Sequence, residues 1–149
     1  MELKVKRTHP YAVLPVRATE GAAAFDLSAA IDEAVVIPPH EVRSISTGIA
    51  IELPSRDMVA LLFARSSLGL KSVSLANSVG VIDSDYRGTL SVVLINHSDK
   101  SFTVENGDRI AQLLITSTIL VNIVETEELS ETSRNEGGFG STGIKQIEA

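Results

Sequence analysis

The chain has 149 residues, a formal net charge of −6 and no cysteine. That length suits one domain, able to bury roughly two-thirds of the surface its unfolded form exposes. The missing thiols exclude disulfides, thiolate catalysis and sulfur-ligated metal, and the acidic balance opposes non-specific binding to nucleic acid, which needs a basic field to release counterions from phosphates.

The start, Met1-Glu2-Leu3-Lys4-Val5, lacks the apolar stretch of a signal peptide. Next comes a run of small residues, Gly21-Ala22-Ala23-Ala24-Phe25, followed by the carboxylate of Asp26. Pro38-Pro39 marks a turn, after which Ile45, Thr47, Ile49, Ile51 and Leu53 occupy alternate positions and predict one face of a strand. Pro54-Ser55-Arg56-Asp57 is the next turn signal, and Met58–Phe63 reads as a more fully buried strand. Arg65, Ser66 and Ser67 follow it directly. A surface arginine is the ordinary reading of such a string; the functional one is phosphate capture, with the guanidinium supplying charge and the hydroxyls geometry. Ser66–Lys71 is the single stretch expected to form a helical turn, with Ser66 or Ser67 as the capping side chain.

The segment from Asn77 to Gly88 places Asp83, Asp85 and Tyr86 at a predicted hairpin. Aspartate, serine and glycine favour turns anyway, which accounts for Asp85 better than for Asp83. Asp83 directly follows the apolar run Val79–Ile82, so its carboxylate is expected at a strand end over a pocket, where a base able to deprotonate water is useful. Leu90–Ile95 and Arg109–Ile115 read as further buried strands, separated by turn signals at Asn96-His97-Ser98-Asp99 and Asn106-Gly107-Asp108. Gln112 interrupts the second of these strands, and a buried amide must find partners in the protein or in a substrate. The apolar stretch from Ile110 to Val124 is too short and too broken by polar residues to span a bilayer. A soluble, intracellular, cytoplasmic protein without membrane or nucleic-acid partners is therefore expected. His9, His40 and His97 lack metal-ligand spacing.

The expected class is all-β, a jelly roll or barrel, because many short β-branched runs alternate with turns and helical periodicity is nearly absent. Residues 1–124 are read as this domain and residues 125–149 as a flexible tail, acidic and then glycine-rich. Within the tail Arg134 precedes Gly137-Gly138-Phe139-Gly140-Ser141-Thr142-Gly143. Such an ending is often a bland terminus. Here Phe139 offers a ring that could stack on a base, while Gly140, Ser141 and Thr142 offer backbone amides and hydroxyls to phosphate oxygens. Neither a Walker A loop nor a Rossmann fingerprint is present.

Taken in order, Ala23-Ala24-Phe25-Asp26-Leu27, Ala64-Arg65-Ser66-Ser67-Leu68, Gly80 to Gly88, Gly107-Asp108-Arg109-Ile110-Ala111-Gln112 and Arg134 to Gly143 resemble the five motifs of the trimeric deoxyuridine triphosphatase (dUTPase) family. Ala24 and Asn135 stand where that family usually has glycine, and asparagine tolerates positive φ better than most residues. The resemblance implies a β jelly roll assembled as a homotrimer with sites at subunit interfaces. It also implies magnesium-dependent hydrolysis of dUTP to dUMP and pyrophosphate, which keeps uracil out of DNA and supplies dUMP for thymidylate synthesis.

On that resemblance Asp83 is the general base, and Arg65, Ser66, Ser67, Gln112 and Arg134 hold the triphosphate. Mg²⁺ is held chiefly by phosphates and water, with Asp26 touching its hydration shell. Asn77 reads the uracil edge, Val81 and Ile82 belong to the substrate-binding hairpin, and Tyr86 packs under the deoxyribose. Phe139, with Gly140, Ser141 and Thr142, closes over the bound nucleotide. Two other readings are a dCTP deaminase, disfavoured by Asp83 with Tyr86 and the tail, and a nucleotide-binding regulator that uses dUTP-dependent tail closure to engage partner proteins, an added role at most because all the proposed catalytic residues are present.

Overall fold

Short β-branched runs punctuated by turn residues give eleven strands and one helical turn among the described residues, 1–138, of this computed structural model. In chain order these are β1 (Lys4–Arg7), β2 (Phe25–Ser28), β3 (Val35–Ile37), β4 (Val42–Ser46), β5 (Ile49–Glu52), β6 (Met58–Phe63) and α1 (Ser66–Gly69). They continue with β7 (Val73–Leu75), β8 (Gly80–Ile82), β9 (Ser91–Asn96), β10 (Phe102–Val104) and β11 (Arg109–Ser117). The strands pair antiparallel in a four-stranded sheet, β2-β11-β6-β8, a three-stranded sheet, β4-β9-β7, and the pairs β1-β5 and β3-β10. This is the expected jelly-roll-like β architecture. None of the described helices is long and apolar enough to cross a membrane.

The sheets enclose one core in which Leu27, Ile45, Ile49, Val92, Leu94, Ile110 and Leu113 are buried. In β9 burial alternates, with Val92, Leu94 and Asn96 pointing inward. The strands expected to be more fully buried are thus one-sided: β6 likewise buries Ala60 and Leu62 and leaves their neighbours part-exposed. Asn96 is wholly buried, and its amide donates to the carbonyls of Ile37, Pro38 and Lys100 at 3.0, 3.2 and 2.7 Å. Its Oδ1 accepts from the Ser98 N–H and hydroxyl at 3.0 and 2.8 Å. The turn signal at Asn96-His97-Ser98-Asp99 is therefore also a buried polar hub, its cost of desolvation offset by these bonds. At the exposed β1-β5 edge the Lys4 ammonium donates to Glu52 at 2.6 Å and holds that carboxyl below the usual carboxylate range.

Three local expectations are corrected. The alternating residues Ile45 to Leu53 are all buried, but Ile45 belongs to β4 and Ile49 and Ile51 to β5 in a different sheet, with Thr47 and Leu53 outside both, because the chain turns at Gly48 with φ +65°. The helical turn exists, yet Arg65 occupies its N-cap and no side chain caps it. Ser66 and Ser67 lie inside the first turn, and the Leu68 and Gly69 N–H groups donate to the Arg65 carbonyl. Finally, the segment from Asn77 to Gly88 is not a hairpin of two mutually paired strands. β8 pairs with β6, while the next strand, β9, pairs with β4 and β7, so the segment crosses from one sheet to another.

Candidate functional site

Two groups of polar side chains stand out. The first lies where β2, β11 and β6 run side by side. Gln112 is directly opposite both Asp26 and Phe63, and directly paired residues present their side chains on one face. Arg65 follows two residues beyond Phe63. A register shift between Arg109 and Ala111 interrupts β11, an irregularity of the kind that re-aims a side chain. Asp26 Oδ1 accepts from Arg65 Nε at 3.0 Å and Oδ2 from Arg109 Nη1 at 2.9 Å. Its side chain is only 5% exposed.

A carboxylate this buried is stable only when paired, and here two guanidiniums answer one negative charge. The cluster keeps one excess positive charge. Arg65 Nη1 also donates to Ser67 Oγ at 3.3 Å and to the Arg109 carbonyl at 3.4 Å. A neighbouring cleft of about 260 Å³ is lined by Arg65, Ser67, Lys71, Phe102, Asp108 and Arg109, among others, so three cations face one carboxylate there. This groove suits an anion with several oxygens. Asp26→Asn should destabilise the fold by about 1–3 kcal/mol, because it strips the charge that both arginines share. Denaturant unfolding of the variant checks this.

The second group surrounds the end of β8. Asp83 is the first residue beyond the strand and is exposed. The chain then turns, with the Tyr86 N–H donating to the Asp83 carbonyl at 3.1 Å. Arg87 Nη1 braces the turn by donating to the Ser84 and Tyr86 carbonyls at 2.8 and 2.9 Å. A cleft of about 310 Å³ is lined by Val81, Ile82, Asp83, Tyr86, Thr89, Leu90 and Ser91. Val81 is 62% and Tyr86 46% exposed, so a carboxylate is flanked by two large apolar side chains that the core does not use. Apolar surface beside a charged group is characteristic of a binding site for a partly apolar ligand.

The remaining sequence-predicted residues lie elsewhere. Ser66 is exposed beside Arg65, while Asn77 is exposed in the loop after β7 and lines neither cleft. Arg134 sits in a turn of its own, its Nε donating to the Gly137 carbonyl at 2.8 Å. Asn135 there adopts φ +40°, as asparagine readily does, and exchanges hydrogen bonds with Thr132. Phe139, Gly140, Ser141 and Thr142 lie outside the described residues. One chain thus brings together Asp26, Arg65, Ser67 and Gln112, and separately Val81, Ile82, Asp83 and Tyr86, and no residue lines both clefts. Arg109, named only as the start of a strand and within a motif, is the functional candidate that sequence reasoning passed over. Its signal was an arginine opening an apolar strand just after the Gly107-Asp108 turn. Among the described residues no three His, Cys, Asp or Glu side chains converge as a metal cage would require.

The chain matches the family model described as dUTPase over residues 10–143. It is 51% identical to the deoxyuridine 5'-triphosphate nucleotidohydrolase of a Hydrogenobaculum species over 97% of this chain and 100% of that one. The enzyme of the same name from Helicobacter pylori is 44% identical, with 98% and 99% covered. Among solved structures, the dUTPase of Staphylococcus bacteriophage 80alpha with dUPNHPP superposes with a TM-score of 0.87 at 30% identity, covering 96% of this chain and 99% of that one.

Proposed function

This chain belongs to the dUTPase family, and from that premise we infer that it hydrolyses dUTP to dUMP and pyrophosphate. The observation that carries this reading is the cleft in which the Asp83 carboxylate stands beside the exposed ring of Tyr86. Asp83 accepts a proton from water as the water oxygen bonds to the α-phosphorus. The bond from that phosphorus to its bridging oxygen breaks, and pyrophosphate leaves with the electron pair. Little covalent chemistry falls to the protein in such a transfer, so positioning and charge neutralisation supply most of the acceleration. Release of pyrophosphate from dUTP, dCTP, UTP and dTTP is the test. A strong preference for dUTP supports the reading, and ammonia released from dCTP without pyrophosphate from dUTP defeats it.

Arg65, Ser66, Ser67 and Gln112 hold the triphosphate, with Arg109 adding charge beside Arg65. Arg134 joins them from the tail. Enzymes of this family use a divalent metal ion. The donor set fits Mg²⁺ carried in by the nucleotide and touched by the protein through water. Each Asp26 oxygen, though bound to an arginine, keeps a lone pair able to accept from a metal-bound water. When bound, the ion neutralises phosphate charge.

Asn77 and nearby backbone groups read the uracil edge, Val81 and Ile82 wall the base, and Phe139 stacks on it as residues 125–149 close with Gly140, Ser141 and Thr142 on the phosphates. Tyr86 lies beneath the deoxyribose and leaves no room for a 2′-hydroxyl. Tyr86→Ala should therefore lower the dUTP/UTP ratio of kcat/KM by roughly tenfold or more. An unchanged ratio would remove Tyr86 from sugar selection.

The separation of the two clefts in one chain supports a homotrimer whose sites are completed across subunit interfaces. So does the exposure of Ile119, Leu120, Val121, Ile123 and Val124 beyond the last strand. Complementation checks it: Asp83→Asn chains and chains truncated before Arg134, each nearly inactive alone, are unfolded and refolded together. In a cyclic trimer random mixing makes about three-quarters of assemblies mixed, each with about one working site in three, so recovery should approach a quarter of wild-type activity. Mixed trimers without recovered activity would show that each tail serves its own subunit.

A further inference from the structure

The Tyr86 ring lies against a glycine two positions further along the same turn. Tyr86 donates its hydroxyl to the Thr89 carbonyl at 3.3 Å, which folds the ring back over the intervening Gly88. A Cβ added at Gly88 would stand 2.5 Å from the ring carbon Cζ and 3.0 Å from Cε2, and nearer still to the hydroxyl oxygen. Real Cβ atoms do not approach that closely, so any side chain at position 88 must displace the ring. The obstacle is spatial and not conformational: the positive-φ glycines among the described residues are Gly48 and Gly107, so the Gly88 backbone itself accepts an L residue.

The far side of this seat is fixed. Thr89 Oγ1 donates to Thr8 Oγ1 at 2.8 Å, the Thr8 N–H to the Gly48 carbonyl at 2.7 Å, and the Leu90 N–H to the Ile49 carbonyl at 2.8 Å. Thr47 donates through both its N–H and its hydroxyl to the Leu90 carbonyl, at 3.0 and 2.7 Å. The Leu90 backbone and the Thr89 side chain are thus tied to the Gly48 corner, which anchors the chain directly after Gly88 against a new side chain there. Of the two partners in the conflict, the half-exposed ring is the one free to move.

We propose that Gly88 is the seat of the Tyr86 ring and, through it, a determinant of the preference for deoxyribose over ribose. The second clause rests on the placement of Tyr86 beneath the sugar. Gly88 is a positioning residue, since it acts through Tyr86. A methyl at 88 swings the ring away from the Thr89 carbonyl and opens the space that a 2′-hydroxyl would need.

The test compares kcat/KM for dUTP and UTP in the full-length wild type, Gly88→Ala, Tyr86→Ala and the double variant, alongside the ring resonances of Tyr86. Tyr11 is the other tyrosine in the chain, so a Tyr11→Phe background isolates those signals. Gly88→Ala should move the ring resonances and lower the dUTP/UTP ratio by roughly tenfold or more, while adding nothing once Tyr86 is already alanine. Unmoved ring signals, or an equal fall in ratio in the Tyr86→Ala background, overturns the proposal. If Tyr86→Ala itself leaves the ratio unchanged, the sugar reading of Tyr86 fails, and the determinant clause with it; the ring resonances still judge the seat. Should Gly88→Ala not fold, the double variant decides: recovery of folding places the conflict in the ring, and continued failure places it elsewhere.

Discussion

Asp83→Asn is expected to lower turnover of dUTP by about 10²–10⁴-fold, the usual worth of a positioned general base, while leaving nucleotide affinity nearly unchanged. The amide is isosteric with the carboxylate but cannot take a proton from water. Asp83 is also exposed at the end of β8, outside the core, so the substitution opens no cavity and breaks none of the braces that Arg87 supplies to the turn. The loss should therefore appear in kcat, with dUTP still protecting the variant against heating. More than about a tenth of wild-type turnover would remove Asp83 from the role of base.

Gly48→Ala is expected to produce the largest loss of stability from a single methyl group. At φ +65° an L residue is strained by about 1–2 kcal/mol. The added Cβ would also stand 2.6 Å from Ala30 Cβ, 2.8 Å from His9 Cβ and 3.0 Å from Ala12 Cβ. None of these is the movable tip of a long side chain, so the crowding adds about 1–3 kcal/mol. Together they take a large share of the roughly 5–15 kcal/mol typical of a folded protein, and the melting temperature should fall by roughly 5–15 °C. Thermal unfolding at fixed protein concentration measures it, and a shift within about 2 °C would mean that the corner relaxes without strain.

The same corner shows where sequence stops reporting structure. The alternation of Ile45, Thr47, Ile49, Ile51 and Leu53 correctly gives burial, because both strands face one core. Period-two patterning carries no information about which sheet a strand joins, so the break at Gly48 left no trace in it. β6, β9 and β11 were legible from their Val, Ile and Leu content, whereas β1, with three cations in four residues, carries no apolar run and is defined by its pairing with β5. Asp26, Arg65 and Gln112 were recognisable as a polar set through family resemblance. That Asp26 is shared between Arg65 and Arg109 depends on a contact across 83 positions, which no local pattern encodes. Asp83 and Tyr86 lie three residues apart within one turn, so their juxtaposition was readable directly.

The Asp83 cleft spans a seam. Val81 and Ile82 belong to β8 in the four-stranded sheet, and Ser91 opens β9 in the three-stranded sheet. A molecule held in that cleft is a cross-brace: neither sheet can separate from the other, or melt alone, without releasing it. Its binding free energy is consequently linked to the cooperative unit as a whole, and at a hundredfold excess over Kd amounts to about 2.7 kcal/mol of added stability. Protection from amide exchange on nucleotide binding should then extend to β4 and β7, which do not line the cleft, and not stay with the turn that does. In this architecture a nucleotide held there would serve the domain as mortar as well as substrate.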